Sequence, residues 1–115
     1  MDEPRAIDLA RFDEIIDLFG SDIGDGIDEW WAELARNLAR LRAAAQDRDL
    51  DAIAGVAHAI KGAGLTFGAT ALASAAREAE QDARNGSVPS SAQLDRLSGL
   101  AEGAQAALRA RTNGI

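Results

Sequence analysis

The chain has no cysteine and a single histidine, His58, in 115 residues. Disulfides and thiolate metal sites are thereby excluded, and one histidine cannot supply the ligand set of a structural zinc site. No Gly-rich loop leads into Lys-Ser or Lys-Thr, and no paired acidic residues are placed for magnesium. No nucleotide site, metal or cofactor of the chain's own is therefore expected. Basic charge is short as well. Twelve Lys and Arg against nineteen Asp and Glu leave a net charge of −7 with no basic stripe, which argues against nucleic acid as a partner. A signal peptide and a long apolar run are also missing, so the expected setting is the cytoplasm, without membrane insertion.

What remains is a helical protein. Apolar residues make up 47% and charged residues 27% of the chain, as in ordinary globular domains, and the length suits one domain with one core. A short amphipathic helix is expected at about 9–19, showing Leu9, Phe12, Ile15, Ile16 and Phe19, and Gly20, Gly24 and Gly26 are expected to break it. A long helix then runs over about 25–46, capped by Asp22 or Asp25, with Ile27, Trp30, Trp31, Leu34, Leu38, Leu41 and Ala45 as its stripe. The tryptophans read as core anchors under the first helix, a partner-binding role being the alternative. Asp49 is a fair N-cap for the third helix, about 50–67, with the stripe Ile53, Ala57, Ile60, Gly64 and Phe67. Gly68 can close it in a left-handed conformation. The fourth helix, about 69–85, carries Leu72, Ala76, Ala79 and Ala83 and ends at Asn85-Gly86. Ser90 and Gln93 form a capping box for the last, about 91–110, striped with Leu94, Leu97, Ala101, Ala104 and Leu108. Residues 112–115 read as a frayed tail. The expected fold is all-α, an antiparallel four-helix bundle with the short N-terminal helix as a lid.

The third helix departs from good helix design around His58. Gly55, Gly62 and Gly64 each cost about 1 kcal/mol relative to alanine, in a chain that otherwise uses alanine freely. His58 sits one position off the apolar stripe, at the boundary of core and solvent. Bare backbone at Gly55 and Gly62, with Ala54 one turn away, leaves room for something bulky to reach the imidazole. Lys61, three residues on, can bring an ammonium to the space above the ring. Imidazole, a positive point charge and open backbone together suit a phosphoryl group held on a ring nitrogen. The plainer alternative is a boundary histidine with glycines that permit tight packing.

Glu80 lies on the next helix. His58 precedes Gly68 by ten residues and Glu80 follows it by twelve, which puts them roughly 15 and 18 Å from the turn of a helical hairpin and so at similar height. Glu80 either accepts a hydrogen bond from the His58 ring, fixing one tautomer, or is a solvated surface carboxylate.

The pattern His58, Lys61, Gly62, Gly68 and Glu80, in the setting Ala-His-x-Ile-Lys-Gly-x-x-x-x-Phe-Gly, resembles the histidine-containing phosphotransfer (HPt) domain of bacterial multistep phosphorelays. The resemblance extends over nearly the whole chain. It implies phosphorylation of His58 on its outer ring nitrogen and electrostatic help from Lys61. It also implies a surface cleared by Gly62, a structural turn at Gly68 and a hydrogen bond from the ring to Glu80. The partners implied are the receiver domains of response regulators, each supplying an aspartyl phosphate and its magnesium, and a sensor histidine kinase. Ala54, Gly55, Gly62 and Leu65 are expected to form the docking face of a monomer. On this reading the chain is a phosphohistidine carrier, without kinase activity of its own. A detached phosphotransfer domain of the chemotaxis-kinase type is an alternative, although those often carry a second histidine where this chain has Arg77. A bundle adaptor that carries no phosphate is another.

Overall fold

The computed structural model describes residues 7–113. Its helices are α1 (Leu9–Phe19), α2 (Ile23–Gln46), α3 (Leu50–Thr66), α4 (Thr70–Arg84) and α5 (Ser91–Thr112), with a 3₁₀ turn at Gly20–Asp22 between the first two. Helices α2 to α5 form a closed ring in which α2 packs on α3 and α5, and α4 on α3 and α5. The expected stripes of α3 and α5 are buried along their whole length, as are Leu72, Ala76, Ala79 and Ala83 of α4.

Several boundaries differ from the sequence expectation. Only Gly20, at φ +58°, interrupts the chain after α1; Gly24 and Gly26 lie inside α2, which therefore starts at Ile23. Gly26 faces the Phe19 ring, where a Cβ would stand 3.1 Å from the ring edge, so close approach rather than helix breaking explains it. Asp22 precedes α2 but makes no side-chain cap, and Asp25 lies in its first turn. The core face of α2 is also rotated slightly. Asn37 and Ala44 are buried, while Trp31, Leu38 and Ala45 are half-buried. At the other end α5 continues to Thr112, held by Arg109 on Asp28 at 2.6 Å and Arg111 on Asp13 at 2.8 Å. Thr112 is therefore helical rather than frayed, and residues 114–115 of the expected tail lie outside the described residues.

Helix α1 lies across one end of the bundle. The Asp8 amide donates to the Gly68 carbonyl at 2.6 Å, tying the start of α1 to the α3–α4 turn, and Arg111 holds Asp13 from α5. Beneath it Trp30 is buried against Phe67, with ring centroids 5.2 Å apart, and its indole N–H donates to the Ala63 carbonyl at 2.9 Å. Ala63 is among the last four residues of α3, whose carbonyls lack ordinary helical partners. The Gly64 carbonyl accepts from Ala69 and the Leu65 carbonyl from Gly68, so three of these four acceptors are satisfied.

That pair of bonds is a Schellman closure, and α2 and α4 end in the same way. The left-handed residue is Gly68 after α3 and Gly86 after α4, but Arg48, at φ +54°, after α2. A side chain in this region costs roughly 1–2 kcal/mol, partly offset by a stiffer unfolded chain. Arg48→Gly is therefore expected to stabilise the fold by about 0.5–1 kcal/mol. Gly68→Ala should do the reverse, by about 2 kcal/mol or more, because its Cβ would also stand 2.9 Å from the Asp8 carbonyl oxygen. Thermal unfolding of the two variants should move in opposite directions; equal shifts would show that φ does not govern these turns.

Candidate functional site

The α3–α4 seam is built from small residues. At Gly64 an added Cβ would lie 3.1 Å from the Ala69 carbonyl oxygen and 3.1 Å from the Ala73 amide nitrogen, so the two helices meet almost backbone to backbone. With Ala57, Ala76, Ala79 and Ala83 also buried, α3 and α4 stay close enough for short side chains at the seam's edge to touch.

His58 and Glu80 stand at that edge. The His58 side chain is 63% exposed and that of Glu80 only 8%, so the carboxylate lies beneath the ring. His58 Nδ1 is 3.1 Å from Glu80 Oε2 and 3.3 Å from Oε1. With Glu80 ionised, Nδ1 carries the proton and donates, which leaves the Nε2 lone pair unused by Glu80. Glu80 is no solvated surface carboxylate; of the two sequence alternatives, the hydrogen bond to the ring is the one present. Lys61 Nζ is 3.3 Å from Glu80 Oε1, with its side chain 26% exposed. The ammonium is therefore turned down onto the carboxylate rather than up over the ring.

A second cation, which sequence reasoning missed, completes the cluster. Arg84 holds Glu80 Oε2 through Nη2 at 2.8 Å and Nε at 3.3 Å. The signal for it was the Glu80–Arg84 spacing of four, with the acid on the N-terminal side, which places the pair on one helix face. The Arg84 hydrogen bond is the main cause that lowers the Glu80 carboxyl from 4.5 to about 2; burial opposes it, and Lys61 and His58 add to it. A depressed carboxyl stabilises the fold fully above its unfolded value and loses that contribution as pH falls through its folded value. Glu80 thus stabilises the protein above about pH 4.5, and the contribution disappears between there and about pH 2. Urea unfolding across this range should show wild type losing its advantage over Glu80→Gln as the pH drops. A difference independent of pH would mean that the stabilisation is not ionic.

The remaining predicted residues fall into two groups. A Cβ at Gly55 or Gly62 would meet nothing within 4 Å, and Leu65 is 54% exposed. These three, with His58 and Ala59, form an exposed strip along α3. Gly64 belongs to the packed seam instead. Ala54 departs from expectation: it is 6% exposed and sits in the core cluster, because it lies three residues before Ala57 on the apolar stripe. Beside the strip a shallow groove of about 430 Å³ is lined by Lys61, Leu65, Thr70, Ala73, Ser74 and Arg77. Among the described residues, no group of three or more His, Cys, Asp or Glu is placed to hold a metal ion, and no helix is long and apolar enough to cross a membrane.

A helical bundle that presents one exposed imidazole, its inner nitrogen bonded to a buried carboxylate, defines a protein of the histidine phosphotransfer class. Residues 26–111 match the Hpt domain family, and the chain belongs to that family; such proteins are the histidine phosphotransfer intermediates of phosphorelays, working with kinases and receiver domains. The fold is similar to that of histidine-containing phosphotransfer protein B (HptB) from Pseudomonas aeruginosa PAO1. The TM-score is 0.87 at 21% identity, over 95% of this chain and 96% of that one. Comparison with curated proteins found no match.

Proposed function

We propose that His58 carries the phosphoryl group and exchanges it with the aspartate of a response-regulator receiver domain. The observation that carries this reading is the exposed ring whose Nδ1 is bonded to the buried Glu80 carboxylate. The Nε2 lone pair attacks phosphorus in line as the bond to the aspartyl oxygen breaks, and the electron pair leaves on the carboxylate. A P–N bond replaces a P–O bond, and the ring keeps its Nδ1 proton. The positive charge it acquires is balanced by Glu80. The incoming negative charge draws the Lys61 ammonium from Glu80 toward the phosphoryl oxygens.

Magnesium comes with the receiver domain and stabilises the moving group there. The chain itself contributes nucleophile, charge and a docking strip, and acts as a carrier rather than a kinase. Gly55, Gly62 and Leu65 admit the receiver, and a sensor histidine kinase loads the relay. The reading places a monomer in the cytoplasm, where such partners meet. Incubation with a receiver domain charged with radioactive phosphate tests it. Label should appear on the chain, be lost in acid and persist in base. Acid-stable label, or none from any charged receiver, would overturn the proposal.

A further inference from the structure

An ionised carboxylate offers about four lone-pair sites, and those of Glu80 are fully engaged. Oε2 faces the Arg84 fork and His58 Nδ1, while Oε1 faces Lys61 Nζ and, at 3.3 Å, Nδ1 again. The cations differ in how they are held. Lys61 reaches across from α3 with one point charge on a flexible stem. Arg84 rises from the same helix as Glu80, one turn on, and grips one oxygen with two nitrogens. Its hold therefore depends neither on α3 nor on what occupies the His58 ring.

This difference matters when charge arrives at Nε2. A buried carboxylate that loses a cationic partner turns away or takes up a proton, since an unpaired buried charge is costly. Either change would release Nδ1–H. We infer that Arg84 is a positioning residue: it keeps Glu80 ionised and aimed at His58 Nδ1 once Lys61 has moved to the phosphoryl group. The inference rests on the carrier role proposed above for His58. The lowered Glu80 carboxyl, with the Arg84 hydrogen bond as its first cause, agrees with it.

The experiment removes Lys61 in place of moving it. Ring ¹⁵N shifts of His58 report the ratio of Nδ1–H to Nε2–H tautomers at a pH where the ring is neutral, with no phosphoryl donor present. The proteins compared are wild type, Lys61→Met, Arg84→Met, the double variant, and Lys61→Met with Arg84→Lys. In the double variant the Nδ1–H tautomer should fall on the order of fivefold relative to Lys61→Met, with a smaller change when Lys61 is present. Arg84→Lys should restore most of the ratio. An unchanged ratio between the double variant and Lys61→Met would overturn the inference. Arg84→Gln in both backgrounds, read the same way, serves if the double Met variant fails to fold. The readout needs no phosphotransfer, so its failure is distinct from failure of the carrier reading, which labelling by the receiver decides separately.

Discussion

Replacement of His58 by Gln is expected to abolish acid-labile labelling while leaving the fold in place. The chain has no other imidazole to take over. Structurally the change is mild, because the side chain is 63% exposed and contributes little to the core. Glutamine also presents an amide N–H₂ that can donate to Glu80, so the buried carboxylate keeps a partner on that side. The amide nitrogen has no available lone pair, however, and the chemistry stops. Unfolding curves and circular dichroism should overlay those of wild type to within about 0.5 kcal/mol, as for a surface substitution. Labelling from a charged receiver should fall to background. Persistent acid-labile label on this variant would remove His58 from the site.

Gly62→Gln separates docking from folding. Gly62 is exposed inside α3, one turn before its last residue, and a Cβ there would meet nothing within 4 Å. No contact inside the molecule accounts for a glycine at a position where most residues make better helix. Glutamine should therefore stabilise the fold by roughly 0.5–1 kcal/mol. It stands one turn from His58, so a partner approaching the ring would meet a long polar side chain in place of bare backbone. Displacing reacting groups by an ångström costs on the order of a hundredfold in rate, and transfer from the receiver should fall by about that much. Gly99 on α5 supplies the control: it is equally open, and α5 packs on α2 and α4. Gly99→Gln should give a similar gain in stability with unchanged transfer. Undiminished transfer in Gly62→Gln would show that the partner does not pass over this part of α3.

Much of this molecule was legible in the linear pattern. Every position in the apolar stripes expected for α3 and α5 is buried, although Ala54 joins the α3 stripe unannounced, and the caps at Asp49 and Ser90 with Gln93 are present as hydrogen bonds. Both are local, set by a period of 3.6 residues and by side chains three positions from the amides they accept from. Counting residues either side of Gly68 also placed His58 level with Glu80, because an antiparallel hairpin leaves little freedom in height. The start of α2 was less legible. Gly24 and Gly26 look like helix breakers in sequence, yet tertiary contact with Phe19 gives Gly26 a different purpose.

By itself, the sequence determined the number of helices, their apolar faces, and which imidazole, ammonium and carboxylate stand near one another. The tertiary structure alone decided how those groups are used. Glu80 lies at the edge of its stripe, where a small rotation or an extra ångström between helices would leave it in water. The near-contact of Gly64 with Ala69 and Ala73 sets that separation, and so buries Glu80 beneath His58. Burial makes the carboxylate demand cations, which turns Lys61 inward and brings in Arg84. Periodicity records which face is apolar; it does not record how closely two faces meet, and a charge at their border is governed by that distance.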